Sequence, residues 1–167
     1  MSDFLAALRE RVLVLDGATG TNLQTVGLTA DDFGGPDLEG CNELLNVTRP
    51  DVIADLHDSF LRVGCDGVET NTFGAFSTVL TEYAIPERAH ELARAGAAIA
   101  REVASGYAAD GRPRFVVGSI GPGTKLPSLG AIPFVELRNA YEVMVDGLLE
   151  GGVDVLLVET VQDLLQS

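Results

Sequence analysis

Positive charge is scarce in this sequence: 11 Lys and Arg stand against 25 Asp and Glu in 167 residues, a formal net charge of −14. A field of that sign repels phosphate backbones and anionic lipid, and no Lys/Arg-rich block interrupts it, which argues against nucleic-acid and membrane-surface roles. Long apolar runs are missing too. None approaches the roughly 20 residues of a transmembrane helix, and the N-terminus reads as an amphipathic helix rather than a signal peptide. Cysteine is nearly absent. Cys41 and Cys65 could form one disulfide, but a chain of this size can bury a core without one and nothing points to secretion, so reduced thiols and a cytoplasmic location are expected. Apolar residues, by contrast, make up 46% of the chain, enough for a folded core.

That apolar content falls into a repeating order. Four short runs read as strands: Val12–Asp16 (VLVLD), Asp66–Thr70 (DGVET), Arg114–Ser119 (RFVVGS) and Val153–Thr160 (VDVLLVET). Their near-continuous apolar character fits strands covered on both faces, as in a parallel sheet. Between them, Pro50–Val63, Pro86–Tyr107 and Pro133–Glu150 have helical periodicity, as in Val52, Leu56, Phe60 and Val63. Pro50 and Pro86 sit where a helix-starting proline is tolerated, and Gly64 and Gly151 where a C-terminal cap often needs positive φ. The βα alternation predicts an α/β fold with a parallel sheet and right-handed crossovers. Residues 17–49 form a connection far longer than the usual 2 to 6 residues or so, of the kind that carries function or caps an edge. Val161–Ser167 (VQDLLQS) reads as the start of a fourth helix. LRVGCDGVET from Leu61 and LLEGGVDVLLVET from Leu148 form a faint repeat, each with a helix end, a glycine, an Asp at the strand start and Val-Glu-Thr at its end.

Each run delivers polar groups at its carboxyl end: Asp16-Gly17, Glu69-Thr70-Asn71-Thr72, Gly118-Ser119 and Glu159-Thr160. In parallel α/β folds that is the ligand-binding face. Three buried carboxylates there, Asp16, Glu69 and Glu159, would need partners, and a ligand ammonium is a natural one; capping of a neighbouring helix is the plainer alternative for any single residue. The small turn Gly17-Ala18-Thr19-Gly20 lets backbone N–H groups approach an anion. GSIGPGTK at Gly118–Lys125 lacks the Gly-Lys-Ser/Thr order of a phosphate loop, and the first run leads into DGATGTN rather than the G-x-G-x-x-G that directly opens a helix in a dinucleotide fingerprint. Cys41, His57, Cys65 and His90 have no metal-ligand spacing, the histidines sitting in helical patterns where surface or capping roles are commoner. No nucleophile elbow is present.

Five strings carry a resemblance: DGATGTN at Asp16, GCNELLNVTRPDVI at Gly40–Ile53, ETNTFGA at Glu69–Ala75, GSIGPGTKLPSLG at Gly118–Gly130 and ETVQDLLQ at Glu159–Gln166. In order and through nearly the whole chain, they resemble the homocysteine-binding (homocysteine S-methyltransferase) domain of cobalamin-dependent methionine synthases, in the form found in actinobacteria. The resemblance implies the N-terminal half of a TIM-type (β/α)8 barrel over residues 1–167, its first four strands only. It implies that Asp16 and Glu159 hold the amino group of homocysteine, and that Gly17, Ala18, Thr19 and Ser119 receive its carboxylate. Glu69, Thr70 and Asn71 match the motif that lines the same pocket. Thr19 replaces the methionine usual in the family's DGAMGT form.

The family's thiol is held on zinc and methylated by methylcobalamin or another donor. Its zinc ligands are cysteines of the second barrel half, which Cys41 and Cys65 do not match. The resemblance therefore implies no metal ligand and no catalytic residue in this chain, which alone would be inactive. Its partners would be homocysteine, the remaining barrel half, and the folate and cobalamin modules of the parent protein. Two further readings remain open: a non-catalytic half-barrel module that could self-associate through its strand edges, and a flavodoxin-like anion-binding domain.

Overall fold

The computed structural model describes residues 4–107, 109 and 111–167. Helix α1 (Phe4–Glu10) precedes an extended segment, Val12–Asp16, after which the chain makes short helices α2 (Thr19–Thr25), α3 (Ala30–Phe33) and α4 (Leu45–Thr48). The regular part follows: α5 (Pro50–Arg62), β1 (Gly67–Glu69), α6 (Ser77–Leu80), α7 (Ala89–Gly106), β2 (Phe115–Ile120), α8 (Phe134–Gly151) and β3 (Val155–Val158). The three strands pair in parallel in the order β1-β2-β3, with Val68 opposite Val116 and Ser119 opposite Leu157.

The expected first strand is not a full strand. Val12–Asp16 meets β1 through a single bridge, Leu15 to Gly67, flanked by Asp66 N–H to Val14 (2.7 Å) and Asp16 N–H to Gly67 (3.2 Å). It lies at the sheet edge with Val12 and Val14 exposed, so among the described residues nothing extends the ladder. Burial on both faces holds for β2, which is buried throughout, but not for β3, where Leu156 and Val158 are exposed.

The helices differ from expectation only at their ends. Pro50 is the first residue of α5, where its missing N–H costs nothing, whereas Pro86 opens a 3-10 turn (Pro86–Arg88) that leads into α7. The buried face of α5 runs Val52, Ile53, Leu56, His57, Leu61; Val63 lies beyond the last helical turn and is exposed. Gly64 has the expected positive φ of 105°, but at the end of α8 it is Gly152 (φ 97°), not Gly151, that turns left-handed. Gly151 has a different job. A Cβ there would stand 2.5 Å from the Arg94 carbonyl, and one on Gly147 would stand 2.6 Å from that of His90, so α7 and α8 meet backbone to backbone. The small residues Ala93 and Ala97 on α7 complete that contact.

The largest apolar cluster sits between these helices and the strand-end loops, with Phe76, Leu80, Leu92, Met144 and Leu148 fully buried, each contributing about 1.5–3 kcal/mol relative to exposure. At the other end of the sheet Phe4 of α1 packs edge-on against Phe115, their centroids 5.1 Å apart. Val161–Ser167 forms only a 3-10 turn, Leu164–Gln166, instead of the start of a helix. It is pinned: the Asp163 carboxylate accepts from Ser128 and Leu165 N–H groups, and the Gln166 amide donates to the Pro122 and Lys125 carbonyls. No helix among the described residues is long and apolar enough to cross a membrane.

Candidate active site

The strands end around a cavity of about 320 Å³. Of the residues expected there, Ala18, Thr19, Glu69, Thr70, Asn71, Ser119 and Glu159 line it. Gly17 and Asp16 do not reach its wall. Asp16 lies behind it, buried, its Oδ1 accepting the Glu69 N–H at 2.8 Å. Gly20, Asn42, Glu43, Thr72 and Phe73 complete the lining. The long 17–49 connection thus works by bringing both of its ends to one wall.

Ser119 is the junction. Its backbone N–H donates to Thr70 Oγ1 (3.1 Å), and its carbonyl accepts from Thr72 Oγ1 (2.8 Å). Thr72 has then spent its only hydrogen, so the 2.6 Å contact between the two threonine hydroxyls is Thr70 donating to Thr72. The three bonds close a ring whose hydrogens all point one way. The Ser119 side chain points elsewhere, donating to Glu159 Oε1 at 2.5 Å. Asn71 is equally committed on its donor side: its amide gives both hydrogens, to the Asn42 carbonyl (2.7 Å) and Asn46 Oδ1 (2.9 Å). Asn46 in turn donates to the Asn71 and Leu92 carbonyls. Gly96 makes this packing possible, since a Cβ would lie 2.7 Å from the Asn46 amide and 2.8 Å from Thr72 Cγ2.

The site is acidic and short of cations. Burial drives Asp16 up to about 7, against the pull of the Glu69 N–H. Glu69 is raised by burial and then by the charge of Glu159. Glu43 is raised by burial although its Oε1 accepts the Gly74 N–H at 2.7 Å. Among the described residues no Lys or Arg pairs with Asp16, Glu43, Glu69 or Glu159. Such a pocket suits a ligand that brings its own positive charge. Two non-glycine residues beside it, Ala18 (φ 55°) and Thr160 (φ 58°), hold left-handed backbone, which for a β-branched residue is a costly conformation.

Both thiols are free and buried. Cys41, facing Glu43 Oε2 at 3.8 Å, is pushed up to about 12 by burial and then by the negative charge of Glu43, while Cys65, near the Leu15 carbonyl, is raised by burial. Neither is poised to become a thiolate ligand, and among the described residues no three His, Cys, Asp or Glu side chains converge as a metal site. The residues present do not fit a zinc centre.

The family model for homocysteine S-methyltransferase matches residues 13–167. The chain belongs to that family. Among curated relatives, the methionine synthase of Mycobacterium tuberculosis is 52% identical over 165 residues and that of Mycobacterium leprae 50%; each match covers 99% of this chain but 14% of the relative. The chain also shares its fold with Escherichia coli homocysteine methyltransferase MmuM. The TM-score is 0.78 against the oxidized form and 0.77 against the metallated form, at 22% identity, with 59% and 58% of those chains covered. The partial-barrel reading of the fold class therefore stands, and a free-standing flavodoxin-like domain gives way to it. Two residues of interest escaped the sequence. Glu43 belongs to GCNELLNVTRPDVI but to no strand, and His57, whose helical pattern suggests a surface or capping role, is 1% exposed.

Proposed function

We propose that this chain provides the amino-acid-recognition face of a homocysteine methyl-transfer site. Glu159 holds the ammonium group from the pocket wall and Asp16 from behind it, with Glu69 beside them, and the turn Gly17-Ala18-Thr19 together with Ser119 receives the carboxylate. Thr70 and Asn71 serve this face by fixing its walls. The observation that carries the reading is a pocket walled by Glu69 and Glu159 and backed by Asp16, none of them paired with a protein cation among the described residues. A ligand ammonium supplies the missing charge and relieves the repulsion between Glu69 and Glu159.

In this proposal methylcobalamin is the methyl donor, and zinc supplies the chemistry that keeps the acceptor sulfur a thiolate at neutral pH. Both belong to parts of a parent protein outside this chain, as do the folate module and the remaining barrel half. The short coverage of the curated relatives supports that view. The chain alone is then inactive, in keeping with a cytoplasmic enzyme cut to its recognition half. Two measurements test this. Glu159→Gln in a full-length methyltransferase carrying this segment weakens homocysteine binding by about 1.5–3 kcal/mol in calorimetric titration, the worth of a charged hydrogen bond; unchanged affinity removes Glu159 from the site. The 167-residue chain alone gives no methionine, and turnover at the rate of an intact synthase would overturn the division of labour.

Self-association is a second reading, favoured by the exposed Leu156 and Val158 on edge strand β3. Light scattering distinguishes it: a mass that doubles with concentration supports pairing, and a monomer at high concentration ends it.

A further inference from the structure

His57 lies on α5, one turn past Ile53, and its imidazole is almost entirely buried, with no hydrogen-bond partner for either nitrogen among the described residues. A neutral imidazole carries one N–H, and leaving it unmatched in the interior is expensive. The ring faces a carboxyl group from outside α5. Nδ1 faces Asp16 Oδ2 at 4.0 Å, while Asp16 Oδ1 is taken by the Glu69 N–H. One oxygen of Asp16 thus accepts from β1, and the other faces α5 across 4.0 Å.

We propose that His57 is the positioning residue of the ammonium site: it is held as the neutral Nδ1–H tautomer facing Asp16 and orients the Asp16 carboxyl for an amine ligand. The proposal rests on the reading of Asp16 as a ligand for homocysteine and deepens it. The 4.0 Å gap is longer than a hydrogen bond, as contacts in ligand-free sites often are before they tighten. Burial supports the neutral ring, holding His57 down at about 4. The other titratable groups facing Asp16 are Glu69, whose charge opposes a negative charge there, and Cys65, whose thiol burial and then Asp16 hold neutral, and among the described residues no Lys or Arg stabilises Asp16. An N–H from His57 is then the main side-chain donor available to an ionised Asp16. When an ammonium ligand arrives and Asp16 must be charged, its proton leaves to solvent and His57 stays neutral.

The test begins with the protein as it is. Long-range 1H–15N correlation of the imidazole at pH 8, above the Asp16 midpoint, reads the tautomer directly. Nδ1–H for His57 is expected, changing to the Nε2–H form common in water when Asp16→Ala removes the acceptor. An Nε2–H ring in the unmodified chain, or an Nδ1–H ring that persists in Asp16→Ala, overturns the proposal. Because the first spectrum needs no substitution, a variant that fails to fold leaves it decided. In the full-length methyltransferase, His57→Phe raises the homocysteine KM about tenfold or more with little change in kcat, and His57→Gln, which keeps an N–H donor, recovers part of the loss. An unchanged KM in His57→Phe also overturns it. If homocysteine fails to bind the full-length protein at all, it is the ligand assignment that falls, and the tautomer still reports on the Asp16–His57 contact.

Discussion

Asp66 and Asp154, at the starts of β1 and β3, are each matched by arginine, whereas Glu69 and Glu159, which close the same strands, have no cation among the described residues. Asp66 accepts two bonds from Arg11, one from Arg112 and one from the Val14 N–H; Asp154 accepts from Arg101 and from the Val116 N–H at 2.8 Å. In both cases the carboxylate caps the strand before it and an arginine neutralises it. At the opposite end, carboxyl groups are gathered: burial raises Asp16 and Glu69, the Glu69 N–H donates to Asp16, and the Ser119 hydroxyl donates to Glu159. The same residue type therefore does two things along one strand. Satisfied charge at the amino ends serves stability, and in the proposed function the carboxylates at the carboxyl ends serve a ligand, the division expected of βα folds.

The sharpest way to break this comparison is at Asp66. Its carboxyl is held far below the ordinary range, first by the Arg11 hydrogen bonds. A folded midpoint below the unfolded one means stability present above about pH 4 and lost as pH falls through the acid range. Asp66→Asn costs about 2–3 kcal/mol at pH 7 by urea unfolding, a value kept modest because Arg11 and Arg112 are half exposed, and the difference shrinks below pH 4. Equal stability of the two proteins at pH 7 would remove the structural role of the amino end.

Asp16 has the opposite sign. Its folded midpoint of about 7 lies above the unfolded value near 3.9, so the native state holds an extra proton between them and loses stability as pH rises from 4 to 7. Asp16→Asn keeps an acceptor for the Glu69 N–H and removes the desolvated charge. It stabilises the ligand-free chain by about 1–2 kcal/mol at pH 8 and not at all near pH 4. A loss of stability at pH 8 would show that Asp16 is structural in the way Asp66 is.

The smallest effect concerns backbone strain. Thr160 is left-handed directly after Glu159, so Thr160→Gly relieves it and gains about 0.5–1 kcal/mol after the entropy cost of glycine. Thermal unfolding checks it, and a destabilised Thr160→Gly would mean that the threonine side chain outweighs the strain.

Much of this was legible in the residues because strand ends write themselves plainly. The parallel order, β2 and the carboxyl-end positions Glu69, Ser119 and Glu159 follow from apolar runs that stop at polar groups. The repeat from Leu61 and from Leu148 proves to be one device used twice, an Asp at the strand start that caps the preceding strand. Other features depend on contacts that no local pattern encodes. Val12–Asp16 has the composition of a strand but a partner on one side only. Val161–Ser167 has helical residues, but Asp163 and Gln166 are committed to the loop at Pro122–Ser128. His57 reads as part of an ordinary helix because only the tertiary position of Asp16 gives its ring nitrogen a counterpart. Glu43 sits in the 17–49 connection, where distance along the chain says nothing of distance in space.

The hydrogen-bonded ring at Ser119 also fixes a measurement. Thr70 follows Glu69 directly, and Ser119 carries the ring on its backbone and Glu159 on its hydroxyl, so the gap between the two glutamates is set by one residue that belongs to neither strand end. Removing only that hydroxyl would leave the ring whole and set Glu159 adrift, turning a gauge of fixed width into an adjustable one. Discrimination between amines of different bulk would blur before affinity for the smallest of them fell.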